Sequence, residues 1–421
     1  MSKITQFKRT GIEWISEIPI HWELWPIKHQ FEIGRGRVIS QNELKEDGRY
    51  PVYSSQTFED GVLGFINSYD FDEELLTWTT DGVNAGSVFH RSGKFNTTNV
   101  CGTLKSITEF NIRYQYYALM FIAPKCKRPD TNGAKIMNNE MAIIKIPIPP
   151  IHEQITIANY LDLKCAQINN FITKKQAFID FLKEQRQSII NDAVTKGINK
   201  KTTTKELSLG TLPKNWSSKR LKFIADVRFS NVDKHTHKEE TPVRLCNYVD
   251  VYKNDYITND MELMNASATD NEISRFKVFK GDIIITKDSE TSNDIAVSAL
   301  VTQDLENVVC GYHLALIRAD ETQILSEFLF RKFQSKEVNA HFEVEATGVT
   351  RVGLSMGDIT GVTMSYPNSL QEQKEIVEFI KTETVSIDTA IAKTTKEIDL
   401  IKEYKEALIS EAVTGKINLN N

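Results

Sequence analysis

The chain has 421 residues, 40% of them hydrophobic and 25% charged, which fits a folded protein of two or more domains without a large disordered tract. Five scattered cysteines, none in a C-x-x-C pair, exclude a disulfide framework and give no zinc signal. The absence of a membrane-length apolar run or a signal-peptide core leads us to expect a cytoplasmic protein. A net charge of −5 argues against nucleic-acid binding by the chain as a whole, but leaves open a local basic face or partner subunits that supply phosphate contacts.

In chain order, Ile18-Pro19-Ile20-His21-Trp22 comes first, a proline turn into a tryptophan. We expect that ring to be buried and to anchor a domain start against the end of a helix. The first domain is assigned to 1–150 and is β-rich α/β in character. Strands are expected at 75–79, 87–90, 100–107 and 142–148, and a helix at 114–122. Turn pairs stand at Asp81-Gly82, Ser92-Gly93 and Asn132-Gly133.

A long helix is expected over 151–199. Apolar residues recur at Ile157, Leu161, Ile168, Ile172, Ile179, Leu182, Ile189 and Ala193, spaced as in a narrow coiled-coil seam with charge on the other faces. The second domain, 200–368, opens on Leu212-Pro213-Lys214-Asn215-Trp216, which repeats the first opening. Strands are expected at 282–286, 296–301 and 361–365, and a helix at 325–333. The domain centres diverge: 42–72 has little in common with 231–271.

The last segment, 369–421, repeats the long helix. Glu153-Gln154 recurs as Glu372-Gln373, and at the same offset the seam recurs as Ile376, Ile380, Ile387, Ile391, Ile398, Ile401, Leu408 and Ala412. Short joints around the second domain favour an antiparallel pairing of the two helices, because a parallel pair needs long returns. The fold class is therefore mixed α+β: two β-rich α/β domains joined by two long helices in an antiparallel coiled coil, with a pseudo-two-fold internal repeat. A helix of ~37 residues rising ~1.5 Å per residue spans ~55 Å.

Motifs for catalysis are missing. Pro149-Pro150 lies in Ile-Pro-Pro-Ile and lacks the aromatic residue of an adenine-methyltransferase motif. Gly93-Lys94 and Gly415-Lys416 lack the Ser or Thr of a P-loop, and Gly34-Arg35-Gly36 is too short for a dinucleotide fingerprint. Pro129-Asp130 has no convincing E-x-K after it. His235 and His237 lack partners at a zinc interval. We expect no catalytic residue and no metal ligand.

Polar loop residues suited to base edges are the alternative chemistry. In the first domain they are Thr79, Thr80, Asp81, Asn84, Arg91, Lys94, Asn96, Asn99, Asn132, Lys135 and Asn138. In the second they are Lys287, Asp288, Ser289, Thr291, Asn293, His313, Thr347, Thr350 and Arg351. Arg and Lys reach guanine, Asn pairs with adenine, and carboxylates accept from cytosine. Lys125, Lys127 and Arg128 suit phosphates.

The two I-P-x-x-W-type openings, the helix openings 150–154 and 370–373, the Ala193-Val194-Thr195 and Ala412-Val413-Thr414-Gly415 helix ends, and Ala346-Thr347-Gly348-Val349-Thr350-Arg351 resemble the specificity subunit of type I restriction–modification systems. The second helix opening departs from that pattern, since Pro367 is followed by Asn368-Ser369. The resemblance implies two target-recognition domains, each reading half of a bipartite double-stranded DNA site, and no catalysis in this chain. The helical coil would set the spacer and dock two methyltransferase subunits that carry S-adenosylmethionine. Up to two restriction–translocase subunits, using ATP and Mg, would join them. A specificity subunit of a type IIB-like system and a coiled-coil protein–protein adaptor stay open as alternatives.

Overall fold

The computed structural model describes residues 6–131, 133–199, 204–207 and 210–419, with only the backbone described at 204–207 and 210–211. The chain forms two compact units, Met1–Gln176 with Thr395–Asn421, and Ala177–Thr394, so each long helix is divided between them. No helix among the described residues is long and apolar enough to cross a membrane.

The first unit runs through β1 (Phe7–Ile12), β2 (Ile15–Pro19), β3 (Glu23–Pro26), β4 (Phe31–Arg35), β5 (Tyr50–Tyr53), β6 (Val62–Ile66), β7 (Phe71–Asp72), β8 (Leu75–Thr79), β9 (Val88–Arg91), β10 (Lys94–Thr97) and β11 (Cys101–Ser106). Helix α1 (Ile112–Ile122), β12 (Arg128–Asp130), β13 (Gly133–Lys135), α2 (Asn138–Ile143), β14 (Lys145–Ile148) and the long α3 (Ile151–Lys196) follow. The central strand β8 is buried at all five positions, as its uninterrupted Leu-Leu-Thr-Trp-Thr composition dictates. It sits in an antiparallel sheet of order β4-β11-β8-β9. Gly102 faces Trp78 across this sheet, where a Cβ would come within 2.1 Å of the indole, so only glycine fits.

The second unit runs through β15 (Thr204–Leu207), β16 (Gly210–Pro213), β17 (Trp216–Arg220), β18 (Ala225–Phe229), β19 (Thr241–Cys246), α4 (Tyr248–Lys253), β20 (Tyr256–Ile257), β21 (Met264–Ala268), α5 (Asp270–Phe276), β22 (Ile283–Thr286), β23 (Asp288–Ser289), β24 (Ser298–Val301), β25 (Val308–Cys310) and β26 (Leu314–Ala319). It ends with α6 (Ser326–Phe333), α7 (Lys336–Glu345), β27 (Val352–Gly353), α8 (Met356–Gly361), β28 (Thr363–Pro367) and α9 (Leu370–Val413). Its main sheet, β18-β26-β22-β24-β20, repeats the β4-β11-β8-β9 order with β20 added at the edge.

The divergent centres hide the same topology. In the first unit β5 pairs antiparallel with β6 and parallel with β10; in the second, β19 pairs antiparallel with β21 and parallel with β25. The second unit adds α4 and β20 between the paired strands, and α5 after them. The strand expected at 142–148 begins instead as α2 and becomes β14 only at Lys145. The cause is local: the Glu140 carboxylate accepts the Met137 N–H at 2.7 Å, capping a helical turn that apolar counting read as strand.

The long helices pair antiparallel within each unit. In the first, Ile157, Leu161 and Ile168 at the start of α3 share a core with Leu408, Ile409, Ala412 and Val413 at the end of α9. In the second, Ile190, Ala193 and Val194 at the end of α3 share one with Ile376, Val377 and Ile380 at the start of α9. Polar rungs follow the same sense: Asn169 to Lys405 at 2.9 Å and Lys175 to Glu397 at 2.7 Å in the first unit, Arg186 to Asp388 at 2.7 Å in the second.

Most seam residues are buried, including Ile179, Leu182, Ile387 and Ile398, while Ile172, Ile391 and Ile401 are half-buried. Ile189 is a correction: it is half-buried, and its neighbour Ile190 is fully buried in its stead. There α3 leaves the narrow seam for a broader domain core, and a straight helix of 3.6 residues per turn drifts from a strict 3.5 repeat. Buried Cys165, Thr384 and Thr394 complete the alternating three- and four-residue spacing, as do Lys175 and Arg186. Cys165 adds to the apolar core, while Thr384, Thr394, Lys175 and Arg186 bring polar groups into the seam, where such residues favour register over apolar area.

Trp22 and Trp216 each sit where one long helix begins and the other ends. Trp22 donates its indole N–H to Glu153 Oε2 at 2.8 Å, and Trp216 donates to Glu372 Oε1 at 2.9 Å. The ring faces lie against Gly415 and Gly197, both at positive φ just past a helix C-terminus. The adjacent glutamines are wholly buried. Gln154 accepts the Asn111 N–H at the start of α1 and donates to Pro149 O, both at 2.9 Å. Gln373 accepts the Leu325 N–H at 2.8 Å and donates to Gln323 O and Pro367 O at 2.9 Å. The Glu-Gln repeat is therefore a joint between module and helix. Gln373→Ala should lower stability by about 3 kcal/mol, because it leaves several buried backbone groups unpaired. Chemical denaturation checks this, and a loss below about 1 kcal/mol would remove the glutamine from that role.

Candidate nucleic-acid interface

The loops that follow the central strand gather polar side chains at the same edge in both units. In the first, the turn after β8 closes with Gly86 N–H donating to Thr79 O at 2.8 Å. Asp81, two residues past the strand, bridges Lys135 through backbone and takes its ammonium at 3.0 Å; Arg35 lies 3.8 Å away. Partial burial pushes the Asp81 carboxyl up, but the Thr80 hydroxyl, Lys135 and Arg35 outweigh it and hold it below the usual carboxylate range. Hydrogen bonds to Asp81 and Asp130 hold the Lys135 ammonium above its ordinary value. Asn138 donates to Gly34 O at 3.1 Å, and Lys127 donates to Val83 O at 3.3 Å, so both belong to this edge. Val83 is largely exposed at the turn tip.

Several candidates are elsewhere. Arg91 is paired with Leu75 at the opposite end of β8; it is buried, ion-paired with Asp60, and lies over the Tyr53 ring at 3.6 Å. Asn96 is buried in β10 and donates to Ser68 O at 2.9 Å. Thr79 and Thr80 are buried, and the Thr79 hydroxyl donates to Asn84 O. These four are internal: Arg91 and Asn96 because their partners, Asp60 and Ser68, come from a distant segment, and Thr79 and Thr80 because the turn after β8 folds back over them. Lys94 is exposed at the Arg91 end, near Asp72 and 4.5 Å from the Tyr69 ring centroid. Exposed Asn99 accepts from Arg35 through its carbonyl, and Lys125 sits over Phe121. Arg128 pairs with Glu140 at 2.6 Å. Asn132 lies outside the described residues.

In the second unit Asp288 takes the place of Asp81, two residues past β22. Its Oδ2 meets His313 Nδ1 at 2.6 Å, and its Oδ1 meets Arg351 Nη2 at 3.1 Å. Here β23 pairs with β27, just as Asp81 bridges Lys135 ahead of α2. Lys287 turns inward: its Nζ donates to Ser230 O at 3.4 Å between the Phe229 and Tyr312 rings, and burial pushes its ammonium below the usual lysine range. Ser289 is buried in β23, which corrects its placement among the base-facing candidates. Thr291, Asn293, Thr347 and Thr350 are exposed.

Arg35, Tyr248, Tyr312 and Val349 join these edges without having been singled out. The signal for Arg35 was its two glycines: a Cβ at Gly34 would come within 2.5 Å of Thr103 Oγ1, and one at Gly36 within 2.3 Å of Thr97 O. Among the described residues no group of three or more His, Cys, Asp or Glu could hold a metal ion. What the edges offer is cations, amides and oriented carboxylates beside exposed apolar tips, a set that matches groove chemistry.

The family of type I restriction modification DNA specificity domains matches residues 19–178 and 213–400. The N-terminal part of a type I specificity subunit of Mycoplasma pneumoniae is 43% identical over 140 residues, 33% of this chain and 75% of that protein. Two further M. pneumoniae relatives are matched over 38% and 47% of their own lengths. A type I specificity subunit of Methanocaldococcus jannaschii is 24% identical over 96% of this chain and 95% of its own. A chain solved in work on complex assembly and conformational transition of the type I R–M system shares the fold, with a TM-score of 0.61 at 12% identity, over 95% of this chain and 99% of that one. With both halves matched, the chain belongs to the type I restriction–modification specificity-subunit family.

Proposed function

We propose that this chain is the non-catalytic DNA-addressing subunit of a type I restriction–modification complex. Each unit reads one half of a bipartite double-stranded site through the edge that carries Asp81 and Lys135, or Asp288 and Arg351. The paired long helices fix the unread spacer and dock two N6-adenine methyltransferase subunits. S-adenosylmethionine belongs to those partners, and ATP and Mg to up to two restriction–translocase subunits. The protein acts in the cytoplasm. The observation that carries this reading is one module present twice, with the same four-strand order at its centre and matching Trp–Glu–Gln joints but different side chains on the corresponding edge. One scaffold with two recognition surfaces is what two unlike half-sites require.

Mapping of modified adenines in cells that express the chain with its methyltransferase partners should return two short motifs separated by a fixed run of unspecified bases. One uninterrupted motif would contradict the reading.

A further inference from the structure

We infer that Arg351 reads a guanine in the half-site of the second unit, with Asp288 and Tyr248 as the residues that position it; this rests on the DNA-reading role proposed above. Thr347 and Gly353 exchange two backbone hydrogen bonds, at 3.1 and 2.9 Å, so 348–352 form a closed hairpin. At Gly348 φ is +151°, and a Cβ there would stand 2.0 Å from Arg351 O, so glycine alone permits this path and the arginine's backbone position depends on it. Val349 is fully exposed at the tip. The root of the hairpin is tied to the end of the central sheet, because Val352 and Gly353 pair with Ser289 and Asp288.

The Arg351 side chain is 49% exposed, against 19% for Asp288. His313 bonds Asp288 Oδ2, and Arg351 Nη2 lies 3.1 Å from Oδ1 as an ion pair without hydrogen-bond alignment, while the guanidinium carbon lies 5.8 Å from the Tyr248 ring centroid. One end of the guanidinium is thus flanked by protein, and half of the side chain faces solvent. Guanine offers O6 and N7 as two acceptors on one edge, which a fork of fixed orientation matches bidentately. A phosphate can also be taken bidentately, but a carboxylate beside it repels the anion; beside a base edge that carboxylate restrains the arginine and limits the entropy lost on binding. Lys287 does not compete, since its ammonium is turned inward. The first unit differs, because the cation that closes on the equivalent Asp81 is Lys135, a point charge shared with Asp130, while Arg35 lies 3.8 Å from Asp81 and donates its Nε to Asn99 O. The guanine is assigned from the geometry of the second unit.

The test uses the full chain assembled with its methyltransferase partners, with methylated adenines mapped and duplex binding measured. Arg351→Ala should make one guanine of one half-site degenerate and leave the other half-site and the spacer unchanged. Affinity for the cognate duplex should fall roughly 5- to 150-fold, with no loss on a duplex in which that G·C pair is already replaced. Asp288→Asn keeps the arginine's charge and should relax the same position in part, a change that a merely structural carboxylate would not confine to one base. If Arg351→Ala weakens all duplexes alike and lowers the salt slope by about one, the contact is with phosphate and the inference is wrong. An unaltered motif overturns it equally. Should Arg351→Ala abolish methylation, the binding comparison decides in the same way. A wild-type motif without two halves would instead overturn the reading beneath it.

Discussion

Deleting residues 178–184 from α3 together with 390–396 from α9 is expected to shorten the preferred spacer by roughly three base pairs while the half-site bases stay the same. Seven residues remove ~10.5 Å of helix, and ten base pairs occupy ~34 Å. A heptad also returns the helix to within ~20° of its original facing, so the seam stays in contact. Because the pairing is antiparallel, each rung climbs α3 as it descends α9, and equal deletions leave Lys175–Glu397 and Arg186–Asp388 opposite one another. Deleting from one helix alone would shear those rungs past each other and should cost assembly rather than change spacing. Three base pairs also turn the duplex by ~100°, far more than the heptad turns the protein, so methylation by the shortened complex should slow as well. Mapped methylation motifs give the result directly. An unchanged spacer removes the ruling role from the coil, and altered half-site bases remove the independence of the two readers.

Matched deletions can be chosen by residue number because the coil is plainly written in the sequence. Its seam repeats residue for residue in the two helices, since the same apolar types must meet the same geometry twice. The remaining seam members are less plain, because Lys175, Arg186, Thr384 and Thr394 are polar and Cys165 is a weak apolar marker; only the three-and-four spacing that they complete points to them. At the reading edges the same contrast holds. Asp81, Lys135, Asp288, His313 and Arg351 stand out because each lies on a loop beside strongly apolar strands or a turn glycine. Arg91 and Asn96 have the same loop-like surroundings in sequence and are nonetheless internal, because the partners that enclose them, Asp60 and Ser68, come from the divergent centre. The pairing of each tryptophan with its glutamate spans 131 residues in one unit and 156 in the other, and no local pattern encodes a contact at that range.

Those tryptophans should carry the largest single-residue effect on stability. Trp216 is 1% exposed, packs edge-on to Phe328 at 6.1 Å, and joins three segments: the start of β17, the end of α3 at Gly197 and the start of α9 at Glu372. Trp216→Ala removes the whole ring from a close-packed core and should cost about 3–5 kcal/mol. It also deprives Glu372 of one donor; among the described residues the other is Asn215 Nδ2, at 2.6 Å. Trp216→Phe separates the two effects: most of the ring volume stays and the indole N–H is lost, for about 1.5–3 kcal/mol, the range for a hydrogen bond to a charged acceptor. Hydrogen exchange locates the damage. After Trp216→Ala, protection should fall first in β17, β28 and the first turns of α9, with α1 and β8 in the first unit unchanged; Trp22→Ala should do the converse. If Trp216→Ala cost less than about 1 kcal/mol, or loosened both units equally, the tryptophan would not be the joint between its module and the helix ends.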